Sequence, residues 1–163
     1  FSDFQCPFCS RFHPTVQQAL DDFEGQVNWI YRHFPLSQIH PEATPAAEAA
    51  ECAAEQGGDT AFWGFADALF ENQDSLGEEL YAALAWEMNL DVQKFSTCVL
   101  ERRYKDKVEN DYNMGVEFGI TGTPGGFVNG QPVRGAIPYS QLKSMIEQEL
   151  GVSAPEQFDG QGK

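Results

Sequence analysis

The sequence predicts an α/β fold in which a β-α-β unit and a later β-β-α unit are interrupted by an all-helical insertion domain. Three observations carry this expectation. A short aromatic segment, Phe1-Ser-Asp-Phe4, runs directly into Cys6-Pro7 and a stretch of helical periodicity. The long middle of the chain is rich in Ala and Glu, with apolar residues at helical spacing and little strand signal. Towards the end, Asn129-Gly130 separates two short apolar runs, and such a pair favours a tight hairpin because both residues tolerate positive φ.

Proline's fixed φ suits the first turn of a helix, so Phe1 to Phe4 reads as the end of a strand feeding a helix near Pro7. Phe8, Phe12, Val16 and Leu20 lie four apart and stack on one helical face, Pro14 is expected to kink that helix, and Gly25 to close it. Val27 to Phe34 is dense in β-branched and aromatic residues and is followed by Pro35, which predicts a strand. Five helices are expected next: Thr44 to Gln56, closed by Gly57-Gly58; Thr60 to Glu71; Leu76 to Met88; Val92 to Leu100; and Tyr104 to Phe118. Asp59 and Asp91 are expected N-caps. The hairpin is expected over Gly126 to Asn129 and Pro132 to Gly135, and a last helix over Pro138 to Leu150. Residues 1–40 and 119–152 then form one α/β domain, 41–118 the helical insertion, and 153–163 a loose tail.

At 163 residues the chain can bury a core without needing covalent staples. Its 25 acidic residues against 10 basic ones give a formal charge of −15, which disfavours nucleic acid and anionic membranes as partners. No run approaches the roughly 18 to 20 apolar residues of a membrane span, and no signal-peptide pattern is present. Because Phe1 falls within an expected strand, a signal or anchor is expected upstream of it.

Cys6-Pro-Phe-Cys9 lies where a strand meets a helix. At that position Cys6 sits at the N-cap, where unpaired amides and the positive end of the helix dipole favour a thiolate. Its pKa is therefore expected to fall, making it the attacking sulfur, with Cys9 more buried and able to resolve a mixed disulfide. The other readings are a zinc half-site and a purely structural disulfide. Zinc wants four ligands, whereas Cys52 and Cys98 stand apart on expected helices, and His13 alone completes no site. Asp3 is the nearest carboxylate in sequence, and strand alternation places it towards solvent. The aromatics Phe62, Trp63, Phe65 and Phe70 are expected in the core of the insertion, and His33 and His40 in structural or solvated positions.

Phe1-Ser-Asp-Phe-Gln-Cys-Pro-Phe-Cys9 resembles the active-site segment of DsbA-like proteins of the thioredoxin superfamily. Tyr31-Arg-His-Phe-Pro-Leu36 resembles their following strand, and Gly122-Thr-Pro-Gly-Gly-Phe-Val-Asn-Gly130 their cis-proline loop and hairpin. Ala46 to Gln56 and Phe62-Trp63 resemble the inserted helical domain, so the likeness covers nearly the whole chain. It implies a thioredoxin-like fold and a cis Thr123-Pro124 bond beside Cys6. The backbone of Thr123, flanked by Pro124, Pro7 and Phe8, would then receive an extended substrate peptide. Gly125 and Gly126 depart from the bulkier residues common after that proline. Cys52 and Cys98 could pair across a helix contact, as a second pair does in many members, or remain separate buried thiols.

The expected function is extracytoplasmic, most simply periplasmic, thiol-disulfide exchange with cysteine-containing protein substrates, serviced by a redox partner that reoxidises or reduces the site. No cofactor and no metal is expected. The direction of exchange stays open, because Pro-Phe between the cysteines does not decide it. Two other classes stand beside this expectation: a thioredoxin-fold module that binds copper(I) through the same two thiolates, and a transferase-like member, which the second cysteine argues against.

Overall fold

The computed structural model describes residues 1–151, so the expected tail at 153–163 lies outside the described residues. In chain order the elements are α1 (Pro7–Asp22), α2 (Ala43–Glu71), a 3-10 turn (Gln73–Ser75), α3 (Glu78–Glu87), α4 (Val92–Leu100), α5 (Lys105–Glu117), β1 (Gly125–Val128), β2 (Gln131–Arg134) and α6 (Tyr139–Leu150). This is a thioredoxin-like arrangement with helices inserted between its two parts.

Pro7 opens α1, and Pro14 is carried inside the helix without ending it. The two helices expected over 44–71 form one element, α2, bent where Gly58 adopts φ 62° and ψ −152°. Only glycine takes that conformation without strain. Asp59, expected as a cap, follows the bend inside α2. Asp91 does cap α4, its carboxylate accepting the Lys94 N–H at 3.1 Å. In the hairpin, Asn129 and Gly130 both have positive φ, 46° and 93°, which sets the antiparallel register Val128 opposite Gln131 and Gly126 opposite Val133.

The strand expected over Val27 to Phe34 is not formed as a ladder. One parallel bridge, Ser2 to His33, is made, with Ser2 N–H donating to Arg32 O at 2.9 Å and Phe34 N–H to Ser2 O at 2.8 Å. β-Propensity describes a fit to a pleated neighbour, and among the described residues only Phe1-Ser2 lies alongside this segment. Phe1 in turn exchanges two backbone hydrogen bonds with Gly125, at 2.7 and 3.0 Å. The residues leading into the cysteine motif thus tie the hairpin to the 32–34 segment.

The main core is built on the alanine face of α2. Ala46, Ala49, Ala50 and Ala53 let neighbouring helices approach closely, and Phe65, Leu69, Tyr81, Phe95 and Val108 fill the space around them. Phe4, Cys6 and Cys9 belong to the same cluster, so the motif rests on the inserted helices. A second cluster, Ala19, Phe23, Leu142 and Ile146, joins α1 to α6. Cys52 and Cys98 link α2 to α4 by a disulfide, with Cα atoms 5.9 Å apart. Buried Glu48 is held by both Nε and Nη2 of Arg102, at 3.1 and 2.7 Å. Asp111, also buried, faces Arg32 and Lys107, each at 3.1 Å.

Gly115 of α5 lies where a β-carbon would meet the Phe34 ring at 2.6 Å and the Phe1 ring at 2.9 Å. A Gly115→Ala change is expected to force these rings apart and destabilise the protein by about 1–3 kcal/mol in urea unfolding. Gly126→Ala, whose added β-carbon would meet nothing within 4 Å, is the matched control and should change stability far less.

Candidate active site

Cys6 is the N-cap residue of α1, with extended φ and ψ of −78° and 121°, and its carbonyl receives the N–H groups of Cys9 and Ser10 at 3.0 and 3.2 Å. The Cys6 side chain is turned inward, as is that of Cys9 one turn later, while Pro7 and Phe8 between them are exposed. Both cysteines are free thiols in this structure. Arg11 stacks its guanidinium over the Phe8 ring, 4.5 Å from the centroid. The exposed edge of the motif is therefore a small apolar platform under a positive charge.

The peptide bond between Thr123 and Pro124 is cis. The Cys6 thiol donates to the Thr123 carbonyl at 3.5 Å, across 117 residues of sequence. Pro124 itself is buried. The Thr123 carbonyl thus lies beside Cys6, whereas Cys52 and Cys98 are assembled separately in the inserted helices.

The two sulfurs differ sharply in acidity. Cys6 is pulled down to about 5, chiefly because the Cys9 thiol donates a hydrogen bond to its thiolate. The Thr123 hydroxyl and the backbone N–H groups of Cys9 and Phe8 add to this, and together they outweigh the desolvation that opposes it. Cys9 moves the other way. Burial raises it far above an ordinary thiol, and holding the proton it shares with Cys6 raises it further. Such a pair holds one proton between two sulfurs, and the charge resides on the sulfur at the helix terminus.

Several side chains outside the cysteine pair support the motif. Asp3 is buried, at 2 % exposure, and not turned to solvent as strand alternation suggests. Its carboxylate accepts from Gln5 N–H at 2.8 Å and Leu36 N–H at 2.9 Å, and His40 Nδ1 lies 2.7 Å away. Alternation fails here because Asp3 leads into a turn, where a carboxylate satisfies backbone donors. Gln73, on the 3-10 turn and marked by no sequence signal, donates from Nε2 to the carbonyls of Phe4 and Cys6, at 2.6 and 3.0 Å. His13 sits one turn beyond Cys9, with Nε2 2.5 Å from Asp67. His33 is buried against Glu51 at 2.8 Å, and Lys107 holds Glu51 from the other side at 2.9 Å. Among the described residues no group of three His, Cys, Asp or Glu side chains is placed to hold a metal.

The thioredoxin family profile matches residues 1–148, and the chain belongs to that family. It is similar to DsbA2 of Pseudomonas aeruginosa, with 25% identity and a TM-score of 0.71 over 98% of this chain and 88% of that one. It is similar also to oxidised BdbD of Bacillus subtilis, with 25% identity and a TM-score of 0.75 over 93% and 85% of the two chains. Among curated proteins it is 38% identical, over 146 residues, to the Na(+)/H(+) antiporter NhaA 3 of Salinispora tropica. That match takes in 90% of this chain and only 22% of the antiporter, so the chain spans under a quarter of the length of this relative.

Alkylation of the reduced protein at Cys6 is expected to rise with pH around a midpoint of about 5, since the thiolate is the reactive form. Below that midpoint the rate should fall as the sulfur is protonated. Thr123→Val removes one stabilising hydroxyl and should move the midpoint upward, which the same pH series would register.

Proposed function

We propose that this chain exchanges disulfides with cysteine-containing proteins through Cys6 and Cys9, outside the cytoplasm and in the oxidising direction. The observation that carries the proposal is the place of Cys6 as N-cap of α1, beside Cys9 and Thr123, where its pKa is pulled down to about 5. A dithiol whose reduced form contains a stabilised thiolate is easily left reduced, so its disulfide is a strong donor.

In this reading the exchange runs in two displacements at sulfur. A substrate thiolate attacks the Cys6 sulfur of the Cys6–Cys9 disulfide, the S–S bond breaks, and Cys9 leaves with the electron pair and takes up a proton. A second substrate thiolate then attacks the substrate sulfur of the mixed disulfide. Cys6 departs as a thiolate, the substrate gains a disulfide, and the protein is reduced by two electrons. A redox partner must then reoxidise the pair. The backbone of Thr123, set beside Cys6 by Pro124, offers main-chain hydrogen bonds to an extended substrate, and Pro7 and Phe8 supply the exposed apolar edge.

The Cys52–Cys98 disulfide supports an oxidising compartment such as the periplasm, since structural disulfides persist there and are rare where glutathione keeps thiols reduced. Copper(I) binding by the same two sulfurs is disfavoured. It would need both as thiolates, and burial together with the neighbouring Cys6 keeps Cys9 protonated. The ion transport in the name of the Salinispora antiporter belongs to that whole protein and is not carried over to this chain.

Cys6→Ala is expected to abolish oxidation of a reduced, unfolded substrate protein. Cys9→Ala should retain attack at Cys6 but accumulate mixed disulfides, visible as adducts on non-reducing gels. Full activity in the Cys6→Ala protein, or no adducts with Cys9→Ala, would refute these assignments.

A further inference from the structure

The buried end of Tyr31 has no role in packing that would explain its hydroxyl. The ring is fixed by Phe4, stacked at 5.2 Å, and by Phe62 and Trp63, edge-on at 5.4 and 5.9 Å. The hydroxyl is shielded from solvent and closes no hydrogen bond. An unpartnered buried hydroxyl costs stability, and phenylalanine would keep the same ring contacts without that cost.

Tyr31 lines the same cavity as Cys9 and Ser2. The Ser2 side chain lowers the pKa of both the Tyr31 hydroxyl and the Cys9 thiol. The Asp3 N–H donates to Cys9 Sγ at 3.5 Å. The Ser2 backbone is held in place, bonded to Arg32 on one side and Phe34 on the other. The cavity that Ser2, Cys9 and Tyr31 line is about 580 Å³, a volume large enough to hold water.

We propose that Ser2 and Tyr31, with the Asp3 amide, form a hydrogen-bond-donor pocket that holds Cys9 while it is a thiolate. Ser2 donates to the sulfur, and Tyr31 donates to the Ser2 oxygen. The proposal rests on the reading of Cys9 as the resolving thiol. When the Cys6–Cys9 bond opens, its electron pair goes to Cys9, which the pocket holds until water in the cavity supplies a proton. In the reverse step Cys9 gives that proton to water, attacks Cys6, forms the S–S bond and expels the bound thiol as a thiolate. Tyr31 stays neutral throughout, since burial pushes its hydroxyl well above the ordinary tyrosine value, so it lends a hydrogen bond and not a proton. Burial holds Cys9 strongly protonated, and an attack by it at neutral pH needs such donors.

The test uses the reduced full chain and the chromogenic dithio-bis-nitrobenzoate reagent in stopped flow. Attack by Cys6 releases one coloured thiolate, and resolution by Cys9 releases a second. Ser2→Ala is expected to slow the second phase about tenfold, as for loss of a hydrogen bond to a charged group, and to move its pH midpoint upward, with the first phase unchanged. Tyr31→Phe should slow the second phase in the same sense while melting no lower than the parent, and Ser2→Thr, which keeps the hydroxyl, should restore it. If Ser2→Ala does not fold, Tyr31→Phe decides alone. A second phase at the parental rate and pH midpoint in the hydroxyl-deleted variants would overturn the donor pocket. Cys9→Ala separates the two claims: persistence of its second phase would remove Cys9 as resolving thiol, whereas its loss beside parental Ser2→Ala and Tyr31→Phe kinetics would remove the pocket only.

Discussion

Two sulfurs one helical turn apart in a buried site cannot both be charged, and the rest of the structure decides which of them is. The Cys9 thiol, and after it the backbone N–H groups at the start of α1, favour the charge on Cys6, whereas burial disfavours it on Cys9, so the single negative charge settles on Cys6. Cys9 then serves as the proton donor that stabilises its neighbour, at the expense of its own acidity. The same asymmetry makes Cys6 both the better leaving group and the more populated nucleophile.

This asymmetry depends on a turn held in place from several directions. Asp3 satisfies backbone donors at Gln5 and Leu36, Gln73 satisfies the carbonyls of Phe4 and Cys6, and Thr123 closes the remaining side. The inserted helices supply Gln73 and the alanine-lined surface on which Phe4, Cys6 and Cys9 pack. They therefore act as the floor of the site. The charged cluster of Arg32, His33, Glu51, Lys107 and Asp111 anchors the 32–34 segment to α2 and α5, next to the Ser2 bridge.

Local signals are legible in the sequence. The helix over Val92 to Leu100 has the bounds that its periodicity and Asp91 cap give, and the Asn129-Gly130 turn lies between the two strands of the hairpin. Cys6 and Cys9 come forward because two cysteines flank a proline at a strand-to-helix junction, a pattern carried by nine consecutive residues. Non-local features are harder to read. Val27 to Phe34 has strand composition, but a ladder requires a neighbour along its whole length, which composition does not report. Strand alternation misplaces Asp3 because the residue enters a turn. Gln73 and Tyr31 leave no signal near the motif, since folding alone brings Gln73 back across 67 residues to the Cys6 carbonyl.

The most direct measurement is the equilibrium between dithiol and disulfide forms of Cys6 and Cys9 in glutathione buffers of graded ratio. A strongly stabilised Cys6 thiolate predicts a reduction potential more oxidising than about −180 mV, the level of protein disulfide isomerase. A potential near or below about −270 mV, where thioredoxin lies, would contradict the account, because it would mean that the helix terminus does not stabilise the reduced site.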